Sequence, residues 1–256
     1  HDGKYGSFER ELQDLGHLGP AVSVTGLPVR RVNFEGSPIY GDYDTLARAW
    51  NLRQEKGSPR AALYYNTITL HDGSHGSGDA EWWKKDRVDE FRVSLENLFS
   101  DTTRFLDLLK HSGRNVLVVF IPEHGMALQG DARQAPGLRE VPLPRITLVP
   151  VGIKWIPKDG DPAPLSPVVV SKPTSYFAVA SLVSDFLHAP SDLTRESVSG
   201  WAASLPETPF VSENESGRVV QQGESYFLED ASSGNRWVKI PVSHESITET
   251  EGGSKS

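Results

Sequence analysis

The sequence predicts an α/β protein with a mostly parallel sheet flanked by helices, and three central segments carry that expectation. Residues 61–70 (AALYYNTITL) are β-branched and aromatic, the composition of a strand. Residues 86–111 place Val88, Phe91, Leu95, Leu98, Phe99, Phe105, Leu106 and Leu109 at helical spacing. Residues 115–121 (NVLVVFI) are almost continuously apolar, as in a strand covered on both faces. Strand, helix and strand in that order make a βαβ unit with parallel strands and a right-handed crossover. Both strands then finish at one edge of the sheet, where open α/β sheets bind their ligands.

The remaining elements follow from local pattern. Residues 1–60 are rich in Gly and Pro, with short apolar stretches at Val22-Ser23-Val24 and over residues 29–34. A helix is expected over 43–54, with Leu46, Ala49, Trp50 and Leu52 on one face. Lys110 and His111 suit the C-terminal end of the central helix, and Gly113 suits its stop. Residues 129–167 are crowded with Pro and Gly around one expected strand, 147–156. A helix over 174–188 follows Pro173, with Phe177, Ala178, Leu182, Val183 and Phe186 on its apolar face. Beyond Gly200 the pattern becomes all-β, with a hairpin of residues 218–220 and 226–228 around Gln222-Gly223-Glu224 and a third strand over 236–240. The last residues are Ser, Glu, Thr and Gly, and a disordered tail is expected there.

Composition narrows the function classes. The 256 residues are enough for one large domain or two small ones. Acidic residues outnumber basic ones 34 to 26, a net charge of −8, and no basic cluster exceeds two residues (Arg30-Arg31, Lys84-Lys85). That balance argues against a nucleic-acid partner. There is no cysteine, so this chain offers neither a thiolate metal site nor a thiol nucleophile. The longest apolar run, residues 116–122, falls far short of the roughly 20 residues a membrane span needs. The chain opens on His1 and holds a single methionine, Met126, which reads as part of something longer or as a processed product.

The strongest chemical feature is Ile121-Pro122-Glu123-His124-Gly125. A hydrophobic strand ends and a carboxylate and an imidazole stand side by side. Neighbours in a regular strand point to opposite faces, so the pair converges only where the chain leaves strand geometry. Pro122 and Gly125 suit such a departure. Carboxylate oxygen and neutral imidazole nitrogen suit zinc or manganese. The second feature, Leu70-His71-Asp72-Gly73-Ser74-His75, follows the other expected parallel strand and therefore falls at the same edge. The plain alternative for it is a capped turn, since Asp-Gly is a common turn pair. Arg139, in Gly137-Leu138-Arg139-Glu140, would be a fitting phosphate donor, although a lone loop Arg is most often a solvated surface group. Trp82-Trp83 reads as packing or a surface patch. GxGxxG, Walker and GxSxG motifs are absent.

The runs LYYNTITLHDGSH, VLVVFIPEHG and GLREVPLP, with the opening HDGKYGSF and NFEGSPIYGDYD, resemble the catalytic domain of the bacterial cellulose phosphoethanolamine transferase family. That family serves the bacterial cellulose synthase complex and belongs to the alkaline phosphatase superfamily. The resemblance runs from His1 to about Pro241. It implies an alkaline-phosphatase-like sheet lacking its N-terminal strands. Residues 1–200 would be the C-terminal portion of the catalytic domain, 201–241 a small β appendage, and 242–256 a disordered tail.

The resemblance also implies a chemistry. Zinc activates a serine that accepts phosphoethanolamine from phosphatidylethanolamine and passes it to glucose 6-hydroxyls of nascent cellulose. Glu123 and His124 match zinc ligands. His71 matches a catalytic histidine acting on phosphoryl oxygens or in proton transfer, and Arg139 matches an arginine of the phosphate pocket. No role carries over to His75. The family's serine nucleophile, a cysteine metal ligand and the membrane anchor lie upstream of the matched segment, so this chain would hold two of four zinc ligands and be inactive alone. Other cellulose synthase subunits become partners, and the periplasmic face of the inner membrane the location. The alternatives are a phosphodiesterase or sulfatase-type hydrolase of the same superfamily, or a non-catalytic docking module of the cellulose synthase complex.

Overall fold

A computed structural model describes residues 24–33, 36–57, 61–71, 75–76, 86–131, 133–160, 167–189, 193–230, 234 and 236–240. The chain forms two compact units, His1–Val116 with Ile156–Pro162, and Leu117–Trp155 with Ala163–Ser256. Helix and strand are mixed in both. Val22-Ser23, Asp72-Gly73-Ser74, Trp82-Trp83 and the expected tail at 242–256 lie outside the described residues.

In the first unit, β1 (Val29–Val32) pairs antiparallel with β2 (Pro38–Tyr40) and with the two-residue β3 (His75–Gly76), in the order β2-β1-β3. Helix α1 (Asp42–Glu55) and the long α2 (Arg87–Lys110) supply the packing. The Asp86 carboxylate starts α2 by accepting from the backbone N–H groups of Val88 (2.8 Å) and Asp89 (3.1 Å). These are donors that a helix end otherwise leaves orphaned. Gly113, at φ 64°, takes the left-handed conformation just past the helix, as its position in the sequence implies. The buried stripe of α2 is Ser94, Leu98, Phe105 and Leu109. Trp50 of α1 meets Phe105 edge to face at 6.5 Å, and Arg104 lies 3.8 Å over the Tyr43 ring. The stripe is narrower than the spacing predicts, since Val88 and Phe99 are exposed. Replacing Asp86 with Ala should cost about 1 kcal/mol, read as a lower urea midpoint with unchanged m-value.

The chief correction concerns residues 61–70. They form no strand: 61–68 have no regular structure and Thr69-Leu70 turn. The expected βαβ unit is therefore incomplete among the described residues, which supply its helix and second strand only. A strand needs a neighbour to satisfy its ladder, and here side chains do the holding instead. The Tyr65 hydroxyl donates to Asp42 Oδ1 (2.6 Å) and the Thr69 hydroxyl to Asp42 Oδ2 (2.5 Å). The segment is thus tied to the first turn of α1. Tyr64, its side chain exposed, and half-buried Tyr65 still alternate as the sequence suggests.

In the second unit, β4 (Val116–Phe120), which begins at the unit boundary, forms a two-stranded sheet with β5 (Gly152–Ile156). The strand expected over 147–156 is shorter than predicted. Pro144 opens a one-turn helix, α3 (Pro144–Thr147), as a proline at N1 favours, and Pro150 has no N–H for a ladder. Helix α4 (Tyr176–His188) is capped by the Ser175 hydroxyl, which accepts from the Ala178 N–H, and buries Ala178, Val179 and Leu182. Phe177, placed on the apolar face by its spacing, is instead 88% exposed. Helix α5 (Arg195–Ser204) has no counterpart in the sequence reading.

The C-terminal strands agree with the sequence reading and add one. An antiparallel sheet of order β6-β7-β8-β9 comprises Val211–Asn214, Gly217–Gln222, Ser225–Asp230 and Arg236–Ile240. Gln222 faces Ser225 across the two-residue Gly223-Glu224 loop. Val219, Leu228 and Ile240 form one hydrophobic cluster with Phe210, Ala127, Leu143 and Ile146. Val219 is fully buried, and Phe210 packs edge to face on Tyr226 at 5.3 Å. This cluster grips the irregular chain after β4, and that grip positions the candidate site.

Candidate metal and phosphate site

The chain leaves strand geometry at Ile121, directly after β4, as convergence of Glu123 and His124 requires. Two anchors then fix the Glu123-His124-Gly125 loop. On one side the Gly125 N–H donates to the Ile146 carbonyl at 2.7 Å. On the other the Tyr176 hydroxyl donates to the Pro122 carbonyl at 2.5 Å and approaches that of Glu123 at 3.4 Å. Burial first, and then the charge of Glu123, raise the Tyr176 hydroxyl above its ordinary value, so it stays a donor at neutral pH.

The hydrogen bonds of His124 assign its tautomer. Its Nδ1 lies 2.7 Å from the Gly125 carbonyl oxygen. A carbonyl only accepts, so Nδ1 carries the proton. Its Nε2 faces Nη1 of Arg139, a group that only donates. In the neutral tautomer with that proton, Nε2 is the lone pair through which imidazole binds a metal, with the other nitrogen oriented by a backbone carbonyl.

Arg139 is exposed, but its loop is tightly wound. Gly137 N–H donates to Ala127 O at 2.8 Å and Leu138 N–H to Ala135 O at 3.1 Å. Asp131 accepts from the backbone N–H of Arg133 (2.6 Å) and pairs with Arg145 (2.6 Å). Beyond Arg139, the Glu140 carbonyl accepts from the Asn214 amide at 2.6 Å, which links the loop to β6.

Glu123 and His124 fit zinc by donor chemistry: one exposed carboxylate and one imidazole whose Nδ1 is taken by a backbone carbonyl. Two donors would make only part of a zinc site, because catalytic zinc usually takes three protein ligands. Among the described residues no three His, Asp or Glu side chains gather as a metal-binding group. His71 lies in the first unit, exposed, its N–H donating to the Ile68 carbonyl at 3.0 Å in a turn. The structure brings His124 and Arg139 into contact, places Glu123 beside them in the same unit, and describes His71 within the other. Sequence reasoning missed Tyr176, whose only signal was an aromatic in the first turn of an amphipathic helix.

The family model described as "Cellulose biosynthesis protein BcsG C-terminal domain" matches residues 1–237. The chain belongs to the BcsG family. It is 35% identical over 247 residues to the cellulose biosynthesis protein BcsG of Escherichia coli K12, and 34% identical over 250 residues to that of Salmonella typhimurium. Each match covers 94% of this chain and 42% of the relative, so the chain spans less than half the length of these BcsG proteins. No helix of the described residues is long and apolar enough to cross a membrane.

Proposed function

We propose that this chain is the C-terminal part of the catalytic domain of a zinc-dependent phosphoethanolamine transferase acting in bacterial cellulose biosynthesis. It would move phosphoethanolamine from phosphatidylethanolamine to glucose hydroxyls of cellulose at the periplasmic face of the inner membrane, beside other cellulose synthase subunits. In this reading the whole protein carries a larger, mostly parallel alkaline-phosphatase-like sheet.

The observation that carries the reading is the orientation of the His124 ring between the Gly125 carbonyl and Arg139. With Nδ1 on the Gly125 carbonyl, Nε2 is the ring nitrogen left for a metal, and it faces Arg139. Bound zinc would lower the pKa of a serine nucleophile and offset charge on the phosphoryl oxygens. Glu123 and His124 would hold that zinc. Arg139, displaced from Nε2, would point its fork of N–H donors at the phosphoryl group, a match of shape and permanent charge. His71 would hold a hydrogen bond to a phosphoryl oxygen or move the proton of the accepting hydroxyl.

The test uses the full-length protein and a chromogenic phosphoethanolamine ester. Glu123→Ala and His124→Ala should each lower zinc-dependent turnover about 100-fold or more, and chelation should abolish it. Arg139→Ala should lower turnover by about two orders of magnitude with zinc content unchanged. Activity that survives both ligand substitutions would overturn the metal assignment and move a non-catalytic role in the cellulose synthase complex to the front.

A further inference from the structure

We propose that Tyr176 is a positioning residue for the Glu123-His124 pair, an inference that rests on the reading of that pair as metal ligands. Two adjacent ligands can share an ion only if their backbone is held in one non-strand conformation. The Gly125 N–H bond to Ile146 fixes the loop on its C-terminal side. On its N-terminal side Pro122 has no N–H to give. Among the described residues, the Tyr176 hydroxyl supplies the hydrogen bonds to the Pro122 and Glu123 carbonyls, at 2.5 and 3.4 Å.

The anchor is itself fixed. Tyr176 opens α4, where the Ser175 cap sets the first turn. Ala178, Val179 and Leu182 bury that helix, Leu182 at 2% exposure. The hydroxyl is thus delivered from a rigid element to a loop with no ladder of its own, the arrangement that preorganises a site. Phe177, next in sequence, is 88% exposed and provides an internal control.

The experiment measures zinc affinity of the full-length protein by competition with a chromophoric chelator. The variants are Tyr176→Phe, Phe177→Ala and Glu123→Ala. Tyr176→Phe, which keeps the ring, should weaken zinc binding about five- to tenfold, the usual scale for a lost supporting hydrogen bond. The absorption spectrum of cobalt bound in place of zinc should shift in Tyr176→Phe, while the melting temperature of the metal-free protein stays within error. Phe177→Ala should bind zinc as the parent does. Unchanged zinc affinity and cobalt spectrum in Tyr176→Phe, with binding lost in Glu123→Ala, would overturn the positioning role and leave the metal reading intact. Equal weakening in Phe177→Ala would assign the effect to the helix and also overturn it. Unchanged binding in Glu123→Ala would overturn the metal reading, and this inference with it.

Discussion

Gly125→Ala should destabilise the second unit by about 2–4 kcal/mol and, under the proposed function, strip zinc binding at the same time. The reason is a close approach rather than a special dihedral. A Cβ on residue 125 would collide with the Arg145 carbonyl oxygen and crowd the Cα of Ile146 at 3.4 Å. The obstacle is backbone, so no side-chain rotation relieves it. The loop must retreat, and retreat breaks the 2.7 Å bond from the Gly125 N–H to the Ile146 carbonyl. Overpacking of this kind costs about 1–3 kcal/mol and a lost buried hydrogen bond about 1 kcal/mol more. The metal effect follows because His124 loses both its neighbour's constraint and the Gly125 carbonyl that orients its Nδ1–H. Urea unfolding of the metal-free protein and zinc competition check the two halves separately. Wild-type stability in Gly125→Ala would mean that α3 yields and the close approach is not rigid.

The coupling reaches into the core. Ile146 is 4% exposed and belongs to the cluster of Val219, Leu228, Ile240 and Phe210. The small C-terminal sheet, expected as an appendage, therefore supports the chain that carries Glu123, His124 and Arg139. Thinning this cluster with Leu228→Ala should weaken the same loop indirectly, without touching any atom of the site.

What the sequence made legible follows from how local each signal is. The α2 helix was readable because its apolar repeat, its Asp86 start and its Gly113 stop all lie within or beside its own residues. The β7-β8 hairpin was readable for the same reason, since Gly223-Glu224 sets the register between adjacent strands. The end of β4 ahead of Glu123 and His124 was readable because Pro122 and Gly125 suit a departure from strand geometry. Residues 61–70 misled because strand composition says nothing about whether a partner strand is there to pair with. Phe177 and Phe99 misled because periodicity marks a stripe without saying how wide a stripe the neighbours cover. Tyr176, Arg145 and Ile146 were invisible because they act from 20 or more residues away, Tyr176 by its hydroxyl on a backbone carbonyl and the other two by backbone atoms, which no local pattern encodes.

Asp42→Ala should cost the first unit about 3 kcal/mol and release residues 61–70. Asp42 is only 4% exposed, and both its oxygens are taken, by the Tyr65 and Thr69 hydroxyls at 2.6 and 2.5 Å. Hydrogen bonds to a charged partner are worth about 1.5–3 kcal/mol each, and relief of the buried charge returns part of that sum. The same cluster gives the fold a pH dependence. Burial first, and then the charge of Asp42, push the Tyr65 hydroxyl well above its ordinary value near 10. The folded state therefore keeps a proton that the unfolded chain releases from about pH 10 upward. This contribution to stability is fully present below pH 10 and is lost progressively as the pH rises beyond it. Urea midpoints should fall between about pH 9 and 11 in the parent, and fall less in Tyr65→Phe, which has no proton to lose there. Hydrogen exchange in residues 61–70 should rise in Asp42→Ala, because no strand ladder protects this segment once its carboxylate anchor is gone. Protection unchanged in that variant would show that packing, not the Asp42 cluster, holds the segment against α1.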